Sequence, residues 1–265
     1  MVGAGMTKYG THPGLSNREM FLEAFKSACK TVDKGIDPND IEANYVGCCG
    51  AWTWETQAGI GKWCTEWAGL TPIPSTTIDN ACASASVAMR QAIIGIASGL
   101  YDVVIAGGVE KMTSLPIEET TLVLATGADV IWEGYAGYTF PGLYATMATA
   151  HMNEYGTTSE DLMAVAIKNH ENGALNPLAQ QSFTLKDHME MRRKKLIEKG
   201  KGDPGWKDVM EFLHDPKLNP DIAWPLRLFD CCPITDGAAC VIFCAEDIAK
   251  NFTDNPIYVK GTAQT

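Results

Sequence analysis

Between residues 16 and 32 the apolar positions Met20, Phe21, Ala24, Phe25, Ala28, Cys29 and Val32 recur at helical spacing. Ser16 and Glu19 stand before them in the S-x-x-E spacing of a capping box, and Gly35 follows as a stop signal. This predicts an amphipathic helix. Val2–Gly5 reads as the end of a strand, and "NYVGCCG" (44–50) as a short buried strand. Residues 56–69 carry a second helical pattern with Trp63 and Trp67 on one face. "PSTTI" (74–78) is a strand, 82–98 a third helix and "DVVIAGG" (102–108) another strand. Strands alternating with helices in this way predict βαβ units, an α/β fold and a mostly parallel sheet.

The rhythm changes from about Leu115. "GADVIWEGYAGYTFPGLYATM" (127–147) is rich in glycine and aromatic residues and has no strand–helix alternation. Helical patterns follow at 159–172 and 186–199, then the Gly/Pro/Asp-rich "EKGKGDPGW" (198–206). Alternation returns with "PLRLFDCCPITDGAACVIFCAED" (225–247). Residues 115–225 therefore read as a mainly helical insertion in one α/β domain made of 1–114 and 226–255. "PIYVKGTAQT" (256–265) reads as the beginning of another strand.

A chain of 265 residues with 46% hydrophobic and 20% charged residues can bury a large core. Its net charge of -11 argues against a nucleic-acid backbone or an anionic membrane as the main partner. An anionic small ligand needs only a local basic patch. The opening residues lack a secretory pattern, and the apolar stretch Ala81–Val109 is interrupted by Arg90, Gln91 and Asp102. No membrane span is expected. The nine cysteines are odd in number and show neither a C-x-x-C pair nor zinc-like spacing. Reduced thiols in a cytoplasmic protein, and no metal site, are the expectation.

Cys82 is the candidate for chemistry. Asn80 suits an N-cap, which would put Cys82 in the first helical turn. There the peptide dipoles and free N–H groups favour a thiolate and could receive an oxyanion. The following "ASASVAMRQAIIGIASG" is rich in small residues, as suits a helix packed closely on all sides. Read alone, Cys82 is better taken as a small core residue than as a nucleophile.

Five separated stretches add to this. "DNACASAS" (79–86), "AGGVEKMT" (106–113) and "DCCPITDGAA" (230–239) resemble the thiolase superfamily. "VGAGMTKYG" (2–10) and "AHMNEYGTTSEDLMAVAIKNHENGALNP" (150–177) resemble its sterol-carrier-protein-type branch, which includes archaeal acetoacetyl-CoA thiolases. The resemblance implies a layered α-β-α fold, the first of two similar halves, in which 115–225 is the loop domain over which coenzyme A lies. It implies that Cys82 accepts the acyl group and that a β-ketoacyl-CoA is formed or cleaved. Coenzyme A thioesters would be the substrates, with no permanently bound cofactor.

The same resemblance places an activating histidine in a GHP-type motif and a basic cysteine in a later Cys-Gly motif, both in a second half. His12, His151, His170, His188 and His214 stand in no such context. Residues 1–265 are therefore expected to hold the nucleophile without its base, as a fragment or one half of a split enzyme. Residues 256–265 would start the second half. The resemblance further implies a homodimer or tetramer in which "PSTTI" pairs with its twin, and permits a small OB-fold, zinc-ribbon partner. Tyr144 and Met147 fall where loop-domain residues approach the pantetheine and acyl chain. Arg192 and Arg193, with Lys194 and Lys195, form the only dense basic run; it reads either as a solvated helix face or as a patch for the phosphates of coenzyme A. A related condensing enzyme (β-ketoacyl synthase or hydroxymethylglutaryl-CoA synthase) or a non-catalytic acyl-CoA-binding subunit are the alternatives.

Three other features have plain readings. The glycines of "VGAGMTKYG" are misplaced for a dinucleotide fingerprint and suit a tight strand-to-loop crossing. Trp52, Trp54, Trp63 and Trp67 suit helix packing or an interface better than an acyl pocket. His151 reads as a packed, hydrogen-bonded residue.

Overall fold

The computed structural model describes residues 1–264 and divides the chain into two compact units, Met1–Val123 with Ile234–Thr265, and Leu124–Pro233. The first unit contains strands β1 (Gly3–Met6), β2 (Ala43–Gly47), β3 (Ser75–Ile78), β4 (Val103–Lys111) and β7 (Asp236–Cys244). Its helices are α1 (Asn17–Lys30), α2 (Ala51–Trp54), α3 (Ile60–Trp67), α4 (Ser84–Ala97) and the short α10 (Ala249–Phe252). Helix α5 (Ile117–Ala125) spans the boundary in sequence. The second unit carries α6 (Phe140–Tyr155), α7 (Ser159–Ala174), α8 (Leu185–Glu198), α9 (Val209–His214) and a two-stranded ribbon, β5 (Asp221–Ala223) with β6 (Leu226–Arg227).

The five strands of the first unit lie in the order β1-β7-β4-β2-β3. Side chains alternate across the sheet, as strand geometry requires. Val103, Ile105 and Val109 of β4, with Ala238, Cys240 and Ile242 of β7, face Met20, Phe21, Ala24 and Phe25 of α1. Val104 and Ala106 point to the opposite face, where Ala88 and Ala92 of α4 cover them. The result is the α-β-α layering that the sequence suggested. The second unit has its own core of Met163, Leu185, Met189, Trp206, Phe212 and Leu213.

The sheet is mixed, which corrects the mostly parallel reading. β2 runs parallel to both β3 and β4, but β7 is antiparallel to β4 and to β1. Strand direction is not written into hydrophobic periodicity, and β7 follows only after the whole second unit. The capping box of α1 is present: the Glu19 carboxylate accepts the Ser16 N–H at 2.7 Å. The helix expected over 56–69 is shorter, because Thr56 and Gly59 adopt positive φ and α3 begins only at Ile60. The strand expected from Pro256 is not formed. Ile257 exchanges two backbone hydrogen bonds with Met1, and Ile257, Tyr258 and Val259 otherwise stay exposed.

Where β4 ends and β7 begins, a buried ion pair fixes the sheet's rim. Lys111 Nζ lies 3.4 Å from Asp236 Oδ2 and donates to the His12 carbonyl. Asp236 also accepts the Thr113 N–H and hydroxyl and the His12 N–H. Such a carboxylate is stable in the interior only because its lone pairs are satisfied.

Candidate functional site

β2, β3 and β4 run in the same direction, so their C-terminal ends share one rim, where α/β sheets place their chemistry. Three segments leave this rim: Cys48–Gly50 after β2, Asp79–Ala83 after β3, and the end of β4 at Glu110. Glu110 reaches the β2 segment. Its carboxylate accepts the Cys49 N–H at 2.8 Å, the Gly50 N–H at 3.1 Å and the Cys48 thiol at 3.2 Å. Burial pushes the Glu110 carboxyl above the usual carboxylate range, against the pull of these donors.

The turn before α4 differs from the expected one. Helix α4 starts at Ser84, so Cys82 lies in the preceding turn and is exposed. Asn80 does not cap the helix; the N-cap is Ala83, without a side-chain bond. Instead the Ser84 hydroxyl accepts the Asn80 N–H at 2.8 Å and donates to the Ala81 carbonyl at 2.6 Å. A serine bonding to nearby backbone competes with helix formation, which moves the helix start past Cys82. On the other side of the turn, Asp79 Oδ1 accepts the Ala81 N–H at 3.0 Å. Behind it, Ala85 packs directly on the backbone of Gly47 in β2 and of Gly108 in β4.

The other thiols of this rim are poor nucleophiles. Burial first, then the Glu110 carboxylate, drives the Cys48 thiol far up. Cys49 is accessible but pushed up to about 11, by partial burial and by Asp79, Glu110 and Cys82 in turn. Cys64 and Cys240, fully enclosed in the core, are raised by burial. The fraction present as thiolate at neutral pH is correspondingly small at each of them. Iodoacetamide near neutral pH should therefore label Cys82 and the exposed Cys232 first, and Cys48, Cys64 and Cys240 last, as read by peptide mass spectrometry. Faster labelling of Cys48 or of the half-buried Cys231 than of Cys82 would count against Cys82 as the reactive thiol.

Tyr144 and Met147 lie on α6, three residues apart and both exposed. Arg192 and Arg193 lie on α8. Arg192 Nε donates to His188 Nε2. Arg193 pairs with Glu190 and Asp203 and donates to the Trp206 carbonyl, so its guanidinium already has protein partners. His151 is hydrogen-bonded to Thr157 and its ring lies 4.7 Å from that of Tyr155, as a packed, hydrogen-bonded residue should be, although the residue is exposed. Of the tryptophans, Trp54 is buried, Trp52 is exposed and Trp67 lies under the Arg18 guanidinium, 4.5 Å from its ring centre. No group of three or more metal-binding side chains suited to an ion occurs among the described residues. None of the described helices is long and apolar enough to cross a membrane.

Asp79, Ser84 and Glu110 went unnoticed in the sequence. Ser84 had a local signal, a hydroxyl at the start of a helical pattern. Glu110 had none, because only the sheet brings the end of β4 against the segment after β2.

Residues 1–191 match the family described as "Thiolase, N-terminal domain". The chain is 43% identical over its full length to an acetyl-CoA acetyltransferase of Methanothermobacter thermautotrophicus, and 38% to one of Methanocaldococcus jannaschii. It spans 61% and 60% of the length of these relatives. A bovine sterol carrier protein 2 is 28% identical and is covered to 44%. Among solved structures, an Ltp2-ChsH2(DUF35) aldolase superposes with a TM-score of 0.68 at 20% identity, over 95% of this chain and 56% of that one.

Proposed function

Since this chain belongs to the thiolase family, we propose that it transfers acyl groups between coenzyme A thioesters, with Cys82 as the acyl acceptor. The observation that carries this reading is the exposed thiol of Cys82 at the shared rim of three parallel strands, on a turn held from both sides. The names of the archaeal relatives support acetyl-CoA as the substrate.

The Cys82 thiolate attacks the thioester carbonyl, and the tetrahedral adduct collapses to acyl-cysteine, releasing coenzyme A as a thiolate that takes up a proton. An enolate of a second acetyl-CoA then attacks the acyl-cysteine carbonyl. A carbon–carbon bond forms, the Cys82 sulfur leaves, and acetoacetyl-CoA results; the reverse sequence is thiolysis. Splitting one transfer into two is what a good nucleophile that is also a good leaving group makes possible. By family resemblance, the proton-transferring histidine and a second cysteine lie outside residues 1–265. Tyr144 and Met147 are the proposed contacts for pantetheine and acyl chain. Arg192 is the better of the two arginines for a phosphate, since Arg193 is held by two carboxylates.

The test is direct. Acetyl-CoA is added to the intact protein, the reaction is quenched, and the peptide containing Cys82 is examined for an acetyl group. Acetylation at Cys82 is expected; acetylation elsewhere, or none with turnover intact, sinks the assignment.

The free cysteines suit a reducing cytoplasm. β3 is an edge strand, with Thr76 and Thr77 exposed, and it is the proposed site of pairing with a second copy across a two-fold axis. Sedimentation of the intact protein should show a dimer or tetramer at micromolar concentration; a monomer would refute this pairing. A small OB-fold, zinc-ribbon partner belongs to the same proposal. The second component in the name of the structurally similar aldolase supports looking for one.

A further inference from the structure

The turn that carries Cys82 contains a residue in a conformation its side chain disfavours. Ala81 has φ +47°, in the left-handed region where Cβ crowds the following carbonyl oxygen. A non-glycine residue stays there only where its surroundings over-determine it. Here two polar side chains hold both peptide groups of Ala81. The Asp79 carboxylate takes its N–H, and the Ser84 hydroxyl takes its carbonyl while accepting the Asn80 N–H. Ser84 is only 5% exposed, so water does not readily replace it. The helix behind cannot yield either, because Ala85 rests against the backbone of Gly47 and Gly108.

Resting on the acyl-cysteine reading of Cys82, we propose that Asp79 and Ser84 are positioning residues for the nucleophile. By holding Ala81 left-handed they fix the direction in which the next residue, Cys82, presents its sulfur. Neither touches the reacting atoms. Without the Ser84 hydroxyl, Ala81 relaxes toward an ordinary conformation and Cys82 turns with the peptide plane. A displacement of an ångström or so at a reacting atom is enough to cost one to two orders of magnitude in rate.

This role can be told apart from a general part in starting α4. Glycine adopts φ +47° without crowding, so Ala81→Gly removes the need for the clamp and should rescue its loss. A helix-starting role gains nothing from a more flexible residue 81. The variants Ser84→Ala, Ala81→Gly and the double variant are made in the intact protein and checked for folding by circular dichroism. Two rates are then measured by peptide mass spectrometry: acetyl transfer from acetyl-CoA to Cys82, and iodoacetamide alkylation of Cys82 relative to Cys232. Ser84→Ala should slow both by about tenfold, and the double variant should recover most of the loss. Asp79→Ala should likewise slow both, and Asp79→Asn, which keeps the acceptor oxygen, should do so less. A folded Ser84→Ala protein with unchanged Cys82 rates, or a double variant without recovery, overturns the proposal. Should Ser84→Ala fail to fold, the Asp79→Ala and Asp79→Asn pair decides: equal rates at Cys82 in the two overturn it. If the unaltered protein is never acetylated at Cys82, the acyl-transfer reading fails, and the alkylation rates still decide the positioning role.

Discussion

Cys82→Ser in the intact protein should lower acetoacetyl-CoA thiolysis by roughly three orders of magnitude or more, with the fold unchanged. The substitution exchanges one exposed atom on a turn whose hydrogen bonds come from Asp79 and Ser84, so neither packing nor turn geometry changes. What changes is the proposed nucleophile. A thiolate is a strong nucleophile, whereas an alkyl hydroxyl does not ionise near neutral pH and needs a strong base to attack. The ester that serine would form is also a poorer acyl donor for the carbon–carbon step than a thioester. Cys232→Ser removes another exposed thiol, from the second unit, and should leave turnover within a factor of about two, because surface changes away from a site rarely matter. Similar losses in both variants would point to general thiol damage rather than to loss of the acyl acceptor. An active Cys82→Ser protein would remove the acyl-cysteine altogether.

The contrast between these two cysteines shows what the sequence could and could not carry. Cys82 was marked by its place at the expected start of a small-residue helix, just after the predicted strand at 74–78. The elements themselves followed from periodicity: α1, α4 and β4 stand close to where their apolar spacing put them. The helix start did not, because Ser84 draws the backbone of Asn80 and Ala81 into local hydrogen bonds that compete with helix geometry. The direction of β7 was illegible for a different reason. Its residues alternate equally well either way, and only pairing with both β4 and β1 settles it. Glu110 is the clearest case of a purely three-dimensional feature. Its charge sits in an otherwise buried strand, and its partners, Cys48, Cys49 and Gly50, come from a segment some 60 residues earlier in the chain. Arg193 shows the opposite failure. The basic run was legible as charge, but the carboxylates of Glu190 and Asp203 that hold this arginine were not.

Gly47→Ala should be among the most damaging single-methyl additions in the first unit, and it should damage site and fold together. Gly47 ends β2 where α4 crosses it. A Cβ built there would lie 2.4 Å from the Ala85 backbone nitrogen and 2.5 Å from the Ser84 carbonyl carbon. Both are backbone atoms of the first helical turn, so no side chain can swing aside. Either α4 moves away from the sheet or β2 does. Overpacking of this kind costs about 1–3 kcal/mol, and more where backbone must shift. For a chain of this size each kcal/mol lowers the melting temperature by about 2–4 °C. Gly14→Ala is the matched control: its added Cβ meets nothing within 4 Å, and a cost of no more than about 0.5 kcal/mol is expected. The displacement should also reach the chemistry, because Ser84 is one of the atoms pushed and its hydroxyl holds Ala81 next to Cys82. Any Gly47→Ala protein that still folds should therefore acetylate Cys82 more slowly than its melting temperature alone accounts for. A variant with unchanged stability and unchanged acetylation would mean that α4 does not sit against β2 as closely as the glycine crossing requires.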